Sequence, residues 1–147
     1  MATANGYRVL VVEDEFLICA MIADALTEQG FEVHSVANSK EALRHLARGA
    51  PCDVIFTDIN LPGGVNGTDL AELARELRPG LPVVYTSGAT NRIDKIKAVP
   101  NASFVAKPYD PDSVCKILRA FAALYVRTQS AAPSDQLSAR NSSSQWM

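Results

Sequence analysis

Short apolar runs alternate along the chain with segments whose apolar residues recur every three or four positions. The runs are rich in β-branched and aromatic residues and are bounded by turn formers, a pattern that predicts strands. Five such runs are present: YRVLVV (7–12), EVHSV (32–36), DVIFT (53–57), PVVYT (82–86) and SFVA (103–106). Their nearly continuous apolar character indicates strands that are covered on both faces.

The segments between these runs predict helices. In the first segment, Leu17, Met21 and Ala25 recur at helical spacing before Gly30. Comparable stripes follow in three later segments: Leu43, Leu46 and Ala47; Leu70, Leu73 and Leu77; and Val114, Ile117, Leu118, Phe121 and Leu124.

Local signals predict where some of these helices begin. Asn38 lies three residues before Glu41, which is the spacing of a capping box, and Asp110 before Pro111 suits the start of the last helix. The segment NRIDKIKAV (91–99) is short and is closed by Pro100, so it predicts only a turn or two of helix.

Strict alternation of strands and helices predicts an α/β fold, an open doubly wound sheet of five parallel strands with helices on both faces. We expect one domain over residues 7–127, after an N-terminal extension of residues 1–6. Residues 128–147 are poor in aliphatic side chains and rich in Ser, Ala and Gln, so they predict a flexible C-terminal tail.

Composition narrows the classes of function. The chain has 147 residues, 48% of them hydrophobic, and a net charge of −2 with its Lys and Arg residues scattered. Binding of nucleic acid or of an anionic membrane is therefore not expected. The start of the chain lacks the features of a secretory signal and no apolar run approaches bilayer length, so a cytoplasmic protein is expected.

Polar side chains follow four of the predicted strands at the point where each strand ends. They are Glu13 and Asp14 after the first strand, Asp58 and Asn60 after the third, Ser87 after the fourth and Lys107 after the fifth. Ligands of doubly wound sheets bind beyond the carboxyl ends of the strands, near the point where strand order reverses. Clustered carboxylates repel one another and need a cation, and hard oxygen ligands favour Mg²⁺.

The motifs VVEDE, FTDxNLPGGxNG, PVVYTSG and FVAKPY occur in this order and together resemble the receiver domain of two-component response regulators. The resemblance covers about residues 7–127 and implies the flavodoxin-like receiver fold in a stand-alone protein. It further implies that Asp58 accepts a phosphoryl group from a phosphohistidine on a sensor histidine kinase. Such a protein would phosphorylate and dephosphorylate itself without being a turnover enzyme.

The resemblance also assigns roles to the surrounding residues. Asp14, Asp58 and the backbone carbonyl of Asn60 would bind Mg²⁺ directly, and Glu13 would act mainly through water. Lys107 would contact a phosphoryl oxygen, and its peptide bond to Pro108 would be cis.

The resemblance implies a signalling role for two further residues, Ser87 and Phe104. Ser87 would bind another phosphoryl oxygen and draw its loop inward, and Phe104 would follow by turning inward. Phe104 lacks a hydroxyl group, so it would have to switch by packing alone.

The sequence departs from the family pattern in three places: Glu13 stands where Asp is commoner, Ser87 where Thr is commoner, and the loop after Asp58 has one extra residue. The short 91–99 segment and the TSGA turn resemble compact receivers found with HWE-type histidine kinases. Expected partners are such a kinase or a phosphotransfer protein, together with a downstream protein. The chain would signal by a conformational switch or act as a phosphate sink or shuttle, as a monomer or weak dimer.

Two other classes of function stay open. Asp58-Ile59-Asn60 resembles the nucleophile motif of haloacid-dehalogenase-type phosphatases, although their second acid is replaced by Asn60 and no cap insertion is present. The chain could alternatively be a binding module, either a flavodoxin-like domain for a flavin or a receiver that has lost phosphorylation. His34 and His45 are interpreted as ordinary packing or surface residues, and no catalytic role is assigned to Tyr85 or Tyr109.

Overall fold

A computed structural model of the protein describes residues 6–88 and 102–143, with side chains up to Gln129. The strands are β1 (Arg8–Val12), β2 (Glu32–Val36), β3 (Val54–Asp58), β4 (Val83–Ser87) and β5 (Ala102–Ala106). The helices of the described ranges are α1 (Phe16–Glu28), α2 (Ser39–Ala47), α3 (Gly67–Leu77) and α4 (Pro111–Ser143).

The five strands form one parallel sheet in the order β2-β1-β3-β4-β5. This confirms the predicted doubly wound α/β fold, and every predicted strand agrees with the observed one to within about one residue. Strand order reverses between β1 and β3, whose carboxyl ends therefore border the crevice in which such sheets bind ligands. The acids predicted for the site follow these two strands.

Alternating side chains of the strands build a core on each face of the sheet. On one face Leu10, Ile55 and Tyr85 pack with buried residues of α2 and α3. On the other face Val11 and Phe56 pack with buried residues of α1 and α4. The two cores hold the central strands on both sides, which makes the carboxyl edge of the sheet a rigid platform.

Side chains cap three helices at their first turn. The Asn38 side chain accepts a hydrogen bond from the Glu41 N–H at 2.9 Å, as the capping-box spacing predicts. Asp110 accepts hydrogen bonds from the backbone N–H and the hydroxyl of Ser113 at 3.3 and 3.0 Å. The cap of α3 by Asn66, which the sequence interpretation did not identify, fixes the point where the loop after Asp58 ends.

The C-terminal part of the chain differs from the expectation. The sequence predicts a flexible tail from residue 128, whereas α4 continues as helix through Ser143. Residues 128–143 contain three Ala and two Gln, which have high helix propensity, but also five Ser and Pro133, so propensity does not account for the extension. The domain boundary at residue 127 stays a prediction, and the predicted 91–99 helical segment lies outside the described residues.

Candidate functional site

The central strands deliver three carboxylates to one edge of the sheet. Asp58 is the last residue of β3, and Glu13 and Asp14 directly follow β1. Ladder-like hydrogen bonds continue past the strand ends, from the Glu13 N–H to the Val36 carbonyl at 3.1 Å and from the Ile59 N–H to the Thr86 carbonyl at 2.9 Å. Glu13 and Asp58 are therefore held rigidly and are buried, whereas Asp14 is exposed to solvent.

Lys107 reaches the same edge from the end of β5. Its backbone N–H donates to the Ser87 carbonyl at 3.1 Å, and its peptide bond to Pro108 is cis. The ammonium lies 2.9 Å from Asp58 Oδ2 and 3.1 Å from Glu13 Oε1. Burial alone would lower the pKa of Lys107, but the hydrogen bonds to Asp58 and Glu13 outweigh it and the net pKa is raised. Lys107 is therefore firmly cationic.

The Glu13 carboxyl is less well compensated. Burial raises its pKa, and hydrogen bonds from the Glu15 N–H and from Lys107 offset only part of this effect. The nearby Asp58 carboxylate raises the pKa of Glu13 further. Among the described residues, one lysine thus serves two buried acids, and the charges of this group sum to an excess of negative charge.

The three carboxylates form a set that can hold a metal ion. One oxygen each from Glu13, Asp14 and Asp58 lies within 4.8 Å of the others. Oxygen donors of this kind suit a hard divalent cation, and Mg²⁺ leaves coordination positions for water or a phosphoryl oxygen. The donor chemistry and the charge imbalance both fit Mg²⁺.

Asn60 and Ser87 lie on the other side of Asp58. The Asn60 N–H donates to Asp58 Oδ1 at 3.0 Å, and the Asn60 side-chain amide donates to the Ser87 hydroxyl at 3.4 Å. Ser87 is completely buried, whereas Asn60 is exposed at the rim. The nucleophile candidate and the switch candidate therefore share one neighbour.

The loop after Asp58 returns closely against the end of β3. The Gly67 N–H donates to the Ile59 carbonyl at 2.8 Å. A Cβ atom at position 67 would collide with the backbone carbonyl of Asp58 and with the Ile59 backbone. Glycine is required here for space, because the start of α3 packs directly on the strand end.

Phe104 does not join this cluster. It is half-buried on β5, opposite Tyr85 of β4, and packs against the core on the α2 and α3 face. The sequence-predicted residues thus fall into two groups. The structure brings Glu13, Asp14, Asp58, Asn60, Ser87 and Lys107 together, whereas Phe104 packs against the core on the α2 and α3 face.

Two features of the site were not identified from the sequence. The buried Tyr109 hydroxyl has no hydrogen-bond partner among the described residues, and burial, reinforced by the Glu13 charge, raises the pKa of Tyr109 to about 12. An apolar surface also adjoins the site on α1, where Phe16 and Leu17 are 80% and 79% exposed. Beside it, Met21, Lys107 and Tyr109 line a groove of about 420 Å³. The only sequence signal for either feature was the position of these residues next to the acids and to Lys107.

A family model described as the response regulator receiver domain matches residues 9–119. The chain belongs to this family. This receiver is 32% identical over 118 residues to the transcriptional regulatory protein TcrA of Mycobacterium tuberculosis, an alignment that covers 79% of the chain and 46% of that protein. The chain thus spans about half the length of that curated relative.

Solved structures agree with this assignment. A response regulator receiver protein from Sinorhizobium medicae is 27% identical with a TM-score of 0.76, covering 82% of this receiver and 97% of that chain. The chemotaxis response regulator CheY4 of Vibrio cholerae is 29% identical with a TM-score of 0.70, covering 79% and 98%. Within the described residues, no helix is both long enough and apolar enough to cross a bilayer.

Proposed function

We propose that this receiver accepts a phosphoryl group on Asp58 from a phosphohistidine of a sensor histidine kinase or phosphotransfer protein, in a Mg²⁺-dependent reaction. One observation carries the proposal: a buried aspartate at the strand-order reversal that contacts Lys107 and lies close to two further acids. A structural ion pair would need no extra carboxylates, and their repulsion is tolerable only if the site is built for a cation and an anionic ligand.

The transfer step follows from the placement of Asp58. One of its carboxylate oxygens attacks phosphorus and forms the new P–O bond while the P–N bond to the donor imidazole breaks, and the bonding electron pair stays on the imidazole nitrogen. Phosphoryl transfer depends mainly on positioning and on neutralising charge. The Lys107 ammonium, 2.9 Å from Asp58 Oδ2, is near enough to donate to an oxygen of the arriving phosphoryl group.

Asp14, Asp58 and the Asn60 carbonyl would hold Mg²⁺, with Glu13 acting through water. The bound ion would supply positive charge next to the phosphoryl oxygens. The cluster of Glu13, Asp14 and Asp58 oxygens supports this assignment. Lys107 alone is insufficient, because it already compensates two carboxylates.

Signalling would start at Ser87 and continue to Phe104. A phosphoryl group carries roughly −1.5 to −2 charges and strong acceptor oxygens, so it would accept a hydrogen bond from the Ser87 hydroxyl. A shift of Ser87 would alter the space above Tyr85 and Phe104, which are paired across β4 and β5. Phe104 has no polar group of its own, so its response would be a change of packing.

The surface beside the site supports docking of a protein donor. Phe16, Leu17 and Met21 expose apolar area on α1 next to the mouth of the site, and such exposed patches favour protein contacts. We assign this surface to the kinase, which in this subgroup would be of the HWE type and would act in the cytoplasm. Output would pass to a downstream protein, or the receiver would serve as a phosphate sink or shuttle.

The test is labelling with phosphoramidate and Mg²⁺, followed by intact mass measurement. The wild type should gain one phosphoryl group per chain, and Asp58→Asn should gain none. Asp53→Asn is the matched control, because Asp53 is an equally buried aspartate at the other end of the same strand and should leave labelling intact. Equal labelling of wild type and Asp58→Asn would refute the proposal.

The same material separates the receiver from a phosphatase. A phosphatase would release many phosphate ions per chain from a phosphomonoester such as p-nitrophenyl phosphate. A receiver should show one labelling event, followed by slow hydrolysis of its own aspartyl phosphate. Sustained turnover on the phosphomonoester, abolished in Asp58→Asn, would favour the enzyme.

A further inference from the structure

Thr86 of β4 lies directly beside Asp58 in the sheet. The two residues are paired in the register of β3 and β4, and Thr86 is only 1% exposed. The Thr86 hydroxyl is buried and has no hydrogen-bond partner among the described residues. A buried hydroxyl without a partner is destabilising, so its position beside the proposed phosphorylation site calls for an explanation.

The side chains of Thr86 and Asp58 lie on the same face of the sheet. Side chains alternate along a strand, and Phe56 and Val84, two residues before Asp58 and Thr86, both pack in the core on the α1 and α4 face. Neighbouring strands lie about 4.7–4.9 Å apart, and the threonine hydroxyl is attached directly to Cβ. A turn about the Cα–Cβ bond of Thr86 can therefore bring its hydroxyl within reach of the Asp58 carboxyl group.

Each oxygen of the Asp58 carboxylate already has a donor in the unphosphorylated site. Oδ1 accepts from the Asn60 N–H at 3.0 Å, and Oδ2 accepts from the Lys107 ammonium at 2.9 Å. In the proposed transfer, Lys107 donates to an oxygen of the phosphoryl group, and the Asp58 oxygen that it contacts can lose its donor. The Thr86 hydroxyl carries a proton that no described acceptor uses, so it can take the place of the ammonium.

We propose that the Thr86 hydroxyl is a further hydrogen-bond donor to phosphorylated Asp58 and replaces Lys107 on the Asp58 carboxyl group when the ammonium moves to the phosphoryl group. This inference rests on the proposed function of Asp58. A valine side chain has nearly the same shape and would fill the position without a buried, unpartnered hydroxyl. The hydroxyl thus destabilises the free state and stabilises the phosphorylated state, which shifts the equilibrium towards the latter.

Thr86→Val should change two equilibria in opposite directions. With Mg²⁺ present, the phosphoryl mimic fluoroberyllate should bind about two- to tenfold more weakly than to the wild type, as expected for the loss of one hydrogen bond from the bound state. Without the mimic, the urea midpoint should equal or exceed that of the wild type, because the variant removes an unpartnered buried hydroxyl. Thr86→Ser keeps the hydroxyl and should bind the mimic as tightly as the wild type, even if its missing methyl group lowers the urea midpoint. Titrations followed by amide resonances give the affinities.

Tyr85→Phe is the matched control. The Tyr85 hydroxyl is also buried without a partner among the described residues, but Tyr85 packs in the core on the α2 and α3 face, opposite to the Asp58 side chain. Its removal should likewise keep or raise the urea midpoint, and it should leave the fluoroberyllate affinity unchanged. Wild-type affinity in Thr86→Val, or an equal loss of affinity in Thr86→Ser or Tyr85→Phe, would overturn the inference. If the wild type itself takes up neither phosphoryl group nor mimic, the proposed function fails instead.

Discussion

Strand β3 is bordered by buried aspartates at both ends, and the two differ in how their charges are compensated. Asp53, just before the strand, is 4% exposed, and Asp58, at its end, is 6% exposed. Asp53 accepts hydrogen bonds from the backbone N–H and the Nε of Arg8, both at 2.8 Å. Asp58 shares its lysine with Glu13 and lies near Asp14 as well.

The comparison teaches that burial of a carboxylate does not by itself indicate function. At the amino end of β3, one acid meets one guanidinium with a matching arrangement of donors, which satisfies the acid and raises the pKa of Arg8. At the carboxyl end, three acids meet one ammonium among the described residues. The uncompensated negative charge attracts a cation, and a bound cation would in turn neutralise an incoming phosphoryl group.

The largest effect is expected from removing the cation at the carboxyl end of β3, the proposed site of phosphorylation. In Lys107→Gln the labelling rate of Asp58 should fall by about 100-fold, the usual result of losing one donor aimed at developing charge. Arg8→Gln, the equivalent change at the other end, should label at the wild-type rate. Initial rates with phosphoramidate at saturating Mg²⁺ measure both. A wild-type rate in Lys107→Gln would mean that the two ends do not differ as the charge count implies.

The next effect concerns stability. Asp53→Asn should lower the free energy of unfolding by about 2 kcal/mol, because hydrogen bonds to a charged acceptor are worth roughly 1.5–3 kcal/mol. Asp58→Asn should not lower it in Mg²⁺-free buffer, because the change removes repulsion from Glu13 and Asp14 while Lys107 keeps Glu13 as a partner. Urea unfolding of the two variants gives both values. Equal destabilisation would show that Asp58, like Asp53, is mainly structural.

The sequence predicts the cluster of charged residues at the carboxyl end of β3 but not the ion pair at its amino end. Parallel strands bring their carboxyl ends to one edge, so locating the strands sufficed to bring Asp14, Asp58 and Lys107 together. The Arg8–Asp53 pair was not predicted, because it joins residues 45 positions apart through the register of β1 and β3. Apolar periodicity fixes the strands but carries no information about which polar side chains meet across them.

The same limit applies to the contacts that depend on side-chain rotamers. The hydrogen bond from Asn60 to Ser87 links the loop after β3 to the end of β4. The local sequence around Asn60 does not predict this bond, and neither does the local sequence around Ser87. The helical extension of α4 through Ser143 was also not predicted, because a segment poor in aliphatic residues and rich in Ser gives no signal for a helix. Local sequence was informative wherever backbone geometry alone decides the outcome, as at the Asn38 cap.

His45 provides a third case, a buried ionisable group whose charged neighbours among the described residues, Arg48 and Arg78, carry the same charge as a protonated imidazole. It is 8% exposed and stacks on His34 of β2, with ring centroids 3.9 Å apart and planes at 12°. Burial lowers the pKa of His45, and His34 and the cationic Arg48 and Arg78 lower it further. The same kind of charge count therefore predicts that His45 stays neutral in the folded protein.

The smallest predicted effect is the pH dependence that follows. Because the pKa of His45 is lower in the folded than in the unfolded protein, the unfolded chain binds the proton more tightly. The contribution of His45 to stability is complete above the ordinary pKa of about 6.5 and is lost progressively as the pH falls below it. His45→Phe keeps an aromatic ring against His34 but cannot be protonated, so its urea midpoint should fall less between about pH 7.5 and pH 5.5 than that of the wild type. Identical pH profiles for the two proteins would mean that His45 finds a counter-charge on protonation, and the distinction between compensated and uncompensated buried charges would then fail at this position.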